Sequence, residues 1–264
     1  MSKIFSWNAN SIRIRLNELE RIVKDYSPDI ICIQEVKAKE EDFPFADIKA
    51  LGFEHIALYG MAGYNGVAIL SKQPLTEVKR YDWAGKADAR HISAVTEQGI
   101  EIHNIYIPAG GDIPDVDQNP AFARKLQFME ELEGFFAQNC EQNRSKRLLV
   151  CGDFNVAPLE NDVWNHKQML KIISHTPAET ERLTKWYKTS GLIDAIRYFY
   201  PESEKVFSWW SYRNPNWQTN NKGRRLDHIW VSSPLSQELK KAFVLKECRA
   251  QERPSDHVPI GIEI

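Results

Sequence analysis

Acids, amides and one histidine stand at the ends of apolar runs in this chain, and their types suit hydrolysis of a phosphate ester. Asn8 closes KIFSWN, Glu35 closes IICIQE, Tyr106 ends IEIHNIY, and Gly152-Asp153-Phe154-Asn155 follows LLVC. Asp227-His228 sits inside LDHIWV, and Ser255-Asp256-His257 precedes VPIGIEI. An acid directly after an apolar run risks burial, which is costly unless a cation or hydrogen bonds compensate. Singly, each has a local explanation: Glu35 could cap a helix, Asp153 could form an Asx turn, and Ser255-Asp256 could form the turn before a last strand. Together they form a carboxylate set that invites a hard divalent cation, Mg²⁺ or Mn²⁺. His257, held by a carboxylate such as Asp227, would serve as a base or as a proton-bearing electrostatic group. Asn8 and Asn155 add neutral donors for phosphate oxygens, and the Tyr106 phenol either joins them or packs within its strand.

A second chemical feature is the stretch KVFSWWSYRNPNWQTNNKGRR. Lys205, Arg213, Lys222, Arg224 and Arg225 give it a charge of +5 with no acid between its ends. Phe207, Trp209, Trp210, Tyr212 and Trp217 are interleaved. Basic charge supplies phosphate affinity and aromatic faces receive a displaced sugar or base. Core packing is the competing use of the indoles, and at least two of Trp209, Trp210 and Trp217 are expected to be substantially buried.

The elements that must hold these residues alternate between strand and helix. Lys3–Trp7 alternates as a strand, and Leu16, Leu19, Ile22 and Val23 recur at helical spacing within residues 15–26. Pro28-Asp29 ends that helix and leads into Ile30–Gln34, a strand buried on both faces. Further strands fit residues 66–71, 91–96, 100–107, 147–152, 226–232, 242–246 and 258–264, with a helix over 121–138. No low-complexity segment divides the chain, so residues 1–264 read as one α/β domain of two packed sheets with helices outside.

Composition bounds the rest. The 264 residues carry 34 Lys+Arg against 36 Asp+Glu, a net charge of −2. That balance excludes a histone-like polycation but leaves nucleic acid open as a substrate, because local charge governs docking. Mean hydropathy is −0.48, and no apolar run is long enough to span a membrane. The N-terminus reads as a strand rather than a leader peptide. Cys32, Cys140, Cys151 and Cys248 form no C-x-x-C pair, and the buried setting expected for Cys32 and Cys151 suits a reducing cytoplasm.

Eight motifs now stand in order: SWNANSIR, PDIICIQEVKA, YNGVAILSK, NIYIPAG, GDFNVAP, FSWWSYR, GRRLDHIWVS and RPSDHVPI. Their order resembles that of the exonuclease III family of apurinic/apyrimidinic endonucleases, over essentially the whole chain. The resemblance implies a four-layer αββα sandwich with the site at one edge of the two sheets. It implies Glu35 as principal metal carboxylate, with Asn8, Asp153, Asn155, Asp256 and His257 around a Mg²⁺ ion. It further implies Tyr106, Asp153, Asn155, Asp227 and His257 as catalytic residues. Arg13, Tyr64 and Arg90 would contact the DNA backbone, while Trp209 and Leu226 would wall a pocket for an extruded abasic sugar. The implied substrate is double-stranded DNA with abasic sites or blocked 3′ ends, cut by a monomer. Departures fall at Ala109, where relatives often carry Asn or Gln, at the acidic loop with Asp112, Asp115 and Asp117, and at Arg224, where eukaryotic relatives tend to have Trp. Trp164–His175 would border the site. Two other readings compete: a phosphoinositide or phospholipid phosphoesterase of the same fold, and a catalytically silent DNA-binding module.

Overall fold

The computed structural model describes residues 1–138 and 140–264. Among them, twelve strands form two six-stranded mixed sheets. The first sheet has the order β11 (Lys241–Val244), β12 (Ile260–Glu263), β1 (Lys3–Asn8), β2 (Ile30–Gln34), β4 (Val67–Ser71), β3 (His55–Tyr59). The second runs β5 (Leu75–Trp83), β6 (Lys86–Thr96), β7 (Glu101–Tyr106), β8 (Leu148–Asp153), β10 (Asp227–Val231), β9 (Ile193–Asp194). In each sheet the central pair is parallel: β1 with β2, and β7 with β8. Helices connect these parallel pairs, as a parallel crossover requires.

Three apolar clusters define four layers. Ile4, Cys32 and Ile69 of the first sheet meet Ile92, Ile102, Cys151 and Ile229 of the second, filling the space between sheets. On the outer face of the first sheet, Phe5, Trp7, Ile31 and Ile33 pack against Leu19 and Ile22 of the helix Leu16–Tyr26. On the outer face of the second, Ile105, Val150 and Trp230 pack against Phe128 and Leu132 of the helix Pro120–Gln138 and Leu183 and Trp186 of the helix Pro177–Ser190. β2 and β8 are therefore apolar on both faces, which is why each reads as an unbroken hydrophobic run. The expected αββα sandwich is what the chain adopts.

Three strands, several helices of six residues or fewer and one longer helix escape the sequence pattern. β5 is an edge strand whose residues are mostly exposed, so it carries no apolar alternation. β9 has two residues, and β3 is another edge strand, half-buried at three of its five positions. The helix Pro177–Ser190 is polar around most of its circumference and announces itself by its capping box, Thr176 with Glu179.

The parallel pairs bring strand ends with opposite origins to one edge. Asn8 lies opposite Gln34 at the end of the first pair, and Tyr106 lies opposite Asp153 at the end of the second. Across the inter-sheet space behind them, Gln34 Nε2 donates to Asn104 Oδ1 at 2.7 Å, and Asn104 Nδ2 donates to the carbonyls of Ile33 and Ala68. This buried amide bridge fixes one sheet edge relative to the other.

Candidate active site

Glu35 follows β2 directly, with φ at +50°, a left-handed turn that swings its carboxylate toward the second sheet. Asn8 Nδ2 and the Tyr106 hydroxyl both donate to its Oε1, at 2.9 and 2.8 Å. Lys37 Nζ lies 2.7 Å from its Oε2. Burial opposes the charge, but hydrogen bonds from Asn8, Lys37 and Tyr106, together with the Lys37 charge, hold this carboxyl below its usual range.

Asp153 terminates β8 and is 1% exposed. Its Oδ2 accepts from Asn8 Nδ2 at 2.9 Å and from Asn155 Nδ2 at 3.2 Å, while its Oδ1 accepts from the Asn155 backbone N–H. Burial, with the nearby charges of Asp227 and Glu35, pushes its carboxyl well up. His257 completes the group. Its Nδ1 is 2.8 Å from Asp227 Oδ2 and its Nε2 is 3.6 Å from Asp153 Oδ2. Two flanking carboxylates overcome the desolvation of the ring and raise its basicity, so the imidazolium is the favoured form at neutral pH.

These groups open into a cleft of ≈ 580 Å³. Glu35, Tyr106, Asp153, Asn155, Asp256 and His257 line it. Trp164, Ile173, Trp209, Arg224 and Leu226 line it beside them. Trp209 Nε1 donates to Asp256 Oδ2 at 2.9 Å, and the Arg224 guanidinium lies 4.8 Å over the Trp209 ring. Arg224 also donates to Ile173 O and Ser174 Oγ. The wall is thus an indole with a cation across its face, suited to an apolar ring or sugar that carries a phosphate.

These carboxylates, with one imidazole nitrogen, are donors that fit a divalent cation. Asp153, Asp227 and His257 place ligand-type atoms within 4.8 Å of one another, and Glu35 Oε2 already faces a positive charge, the ammonium of Lys37.

A family model described as the endonuclease/exonuclease/phosphatase family matches residues 5–257. The chain belongs to this family. It is 34% identical over 273 residues to exodeoxyribonuclease III of Haemophilus influenzae, covering 99% of each chain. An AP endonuclease from Archaeoglobus fulgidus superposes with a TM-score of 0.92 at 29% identity, covering 100% of this chain and 99% of the other. A 3′ phosphatase from Neisseria, solved bound to a product DNA hairpin, superposes with a TM-score of 0.91 at 31% identity, again over 100% and 99%.

Within this family member, several expected site residues have partners that the sequence did not show. Asn8 turns its amide hydrogens toward Glu35 and Asp153, bridging the two carboxylates, and its Oδ1 accepts from Asn10 N–H. Asn155 likewise donates, to Asp153 and to Ile107 O. His257 has Nδ1 turned to Asp227 and Nε2 toward Asp153. Glu35, Asp112, Asp153 and Asp256 are the carboxylates that line the cleft. Arg90 is drawn inward: its side chain is 11% exposed, pairs with Asp88 and stacks 4.5 Å over the Tyr106 ring. Arg13 and Tyr64 stay on the surface outside the cleft, Tyr64 with 76% exposure.

The basic stretch is also less available than its charge suggests. Arg225 is buried between Asp162 and Asp194, with 2.7 Å bonds to each. Lys205 donates to Trp164 O, leaving Arg213 and Lys222, with Arg224, beside the cleft. Trp210 is 1% exposed, while Trp209 and Trp217 are half-buried. Lys37 and Asn10 were missed in the sequence. Lys37 stands two residues after Glu35 in QEVK, and Asn10 Nδ2 binds Asp256 Oδ1 at 3.0 Å. The spacing in QEVK and the second amide in WNAN were the available signals.

Proposed function

We propose that this chain is a metal-dependent DNA-repair nuclease that hydrolyses the phosphodiester 5′ to abasic sites in duplex DNA, leaving a 3′-hydroxyl. The same site would carry 3′-phosphodiesterase and 3′→5′ exonuclease activity. Mg²⁺ is the natural ion for these oxygen ligands, with Mn²⁺ as a substitute. Residues 1–264 would act as one catalytic domain and as a cytoplasmic monomer. The observation that carries the reading is the meeting of Glu35, Asp153 and the Asp227–His257 pair at a cleft that Trp209, with Arg224 over its ring, also lines.

Bound at Glu35 with Asp153 or Asp256, a divalent ion would supply charge neutralisation of the phosphate. The chain's own groups then divide the work. Asp153, raised toward neutrality by burial, accepts a proton from the attacking water and holds that water beside the phosphorus. His257, charged and fixed by Asp227, faces the phosphate oxygens, where negative charge grows in the transition state. The Asn155 amide, which donates to Asp153, and the Tyr106 phenol, which donates to Glu35, hold these two carboxylates in place for that work. As the P–O3′ bond breaks, the departing oxygen takes up a proton from solvent, and Asp153 releases the proton it took from the attacking water before the next turnover. An abasic nucleotide has no base to unpair, so turning it out toward Trp209 and Leu226 costs less than flipping an intact one.

The test is one labelled duplex set, with an abasic site, a blocked 3′ end or a recessed 3′ end, incubated with Mg²⁺ or with chelator. Nicking 5′ to the abasic site only with metal supports the reading. Hydrolysis of inositol phosphates with intact abasic duplex would reject it.

A further inference from the structure

Beneath the cleft lies an ion pair that the chemistry above does not use. Lys125 of the helix Pro120–Gln138 and Glu179 of the helix Pro177–Ser190 both have side chains with 0% exposure, and Lys125 Nζ lies 2.5 Å from Glu179 Oε1. Each partner also reaches backbone at the edge of the site. Lys125 Nζ donates to Asn155 O at 2.8 Å and to Ala109 O at 3.3 Å. The two Glu179 oxygens accept from Ser174 N–H at 2.9 Å, and Oε2 also accepts from the Thr176 hydroxyl at 2.6 Å.

The two backbone residues gripped most directly are both left-handed. Asn155 has φ at +53° and Ser174 has φ at +87°. A residue with a side chain stays in that region only when its surroundings over-determine it. Asn155 supplies the amide that bridges Ile107 O and Asp153 Oδ2, and Ser174 lines the same cleft, its carbonyl accepting from Ala157 N–H at 2.7 Å. Gly110 leaves room for the strut, since a Cβ there would lie 2.9 Å from Lys125 Cδ. Net stability is a poor explanation of the pair, because desolvating two charges offsets most of their attraction.

We propose that Lys125 and Glu179 are positioning residues for phosphodiester hydrolysis, setting the Asn155 amide against Asp153 and fixing the neighbouring Ser174 segment of the cleft lining. Neither touches the reacting atoms. The inference deepens the nuclease reading and rests on it, and the behaviour of the parent enzyme tests that reading separately.

The experiment compares parent, Lys125→Met, Glu179→Gln and the Lys125→Met/Glu179→Gln double variant by steady-state cleavage of abasic duplex, thermal melting and amide hydrogen exchange. In Lys125→Met, kcat should fall about 10- to 100-fold while KM changes by less than about threefold. That variant should also melt earlier, because it leaves Glu179 buried without its cation. The double variant should recover much of the melting temperature and none of the lost kcat. Exchange should quicken in residues 153–157 and 172–176 in each variant. Recovery of kcat together with melting temperature in the double variant would show a strut with no positioning role and overturn the proposal. So would unchanged exchange in both segments. If Lys125→Met does not fold, Glu179→Gln and the double variant carry the same comparison. A parent that cuts no DNA, with exchange quickened in the variants, would reject the nuclease reading while leaving the placement of the two loops intact.

Discussion

Replacing Gly152 with alanine tests how tightly the strand ends set the catalytic geometry. Gly152 pairs with Ile105 across β7 and β8, one residue before Asp153, at φ of +140°. An alanine Cβ there would lie 1.8 Å from Ile105 O, where real contacts do not fall below 3.0 Å. Relief requires the two strands to part by at least about 1 Å, an overpacking distortion worth roughly 1–3 kcal/mol. The backbone conformation, unfavourable for any residue with a side chain, adds roughly 1–3 kcal/mol. At about 2–4 °C per kcal/mol for a chain of this length, the melting temperature should drop by roughly 10 °C. Because Asp153 lies opposite Tyr106 in the same register, the opening also draws Asp153 away from the group that binds Glu35. A displacement of that size costs about 100-fold in kcat. Circular dichroism melting and single-turnover cleavage of an abasic duplex read the two effects. A Gly152→Ala variant that melts with the parent and cuts at the parental rate would refute the argument that this register sets the site.

Further outcomes follow from other parts of the molecule. Burial pushes the Glu18 carboxyl up to about 7 from 4.5, so the folded chain holds a proton that the unfolded chain has released. The stability this confers is complete below pH 4.5 and is lost as pH rises through 7. Glu18→Gln should therefore melt with the parent below that range and be more stable above it by up to about 3 kcal/mol; a constant difference across urea titrations at several pH values would contradict this. Trp209→Ala removes the ring under Arg224, and competition between abasic and intact duplex should show abasic preference falling more than metal affinity does. Equal selectivity in that competition would remove Trp209 from the pocket wall.

Much of the fold was legible because its central strands are buried on both faces. Ile30–Gln34 and the run LLVCGD read as core strands, and the polar residues that close them proved to meet at one edge. What stayed hidden was orientation. A sequence gives Asn8 as an amide but not the direction of its hydrogens, and so its bridge between Glu35 and Asp153 was not legible. Arg90 and Arg225 looked like exposed cations because the acids that bury them, Asp88, Asp162 and Asp194, lie on other segments or fit equally well as surface charge. Lys125 was overlooked for the same reason: a lysine on a helix reads as solvated until its buried partner 54 positions away is seen.

The most direct measurement of the central claim is Mg²⁺-dependent cleavage of an abasic duplex by Asp153→Asn, with duplex binding measured on the same protein. Asparagine keeps the size of the side chain and removes its capacity to take a proton from water. The account predicts near-complete loss of nicking with abasic-duplex binding retained. Parental cleavage by that variant would contradict it.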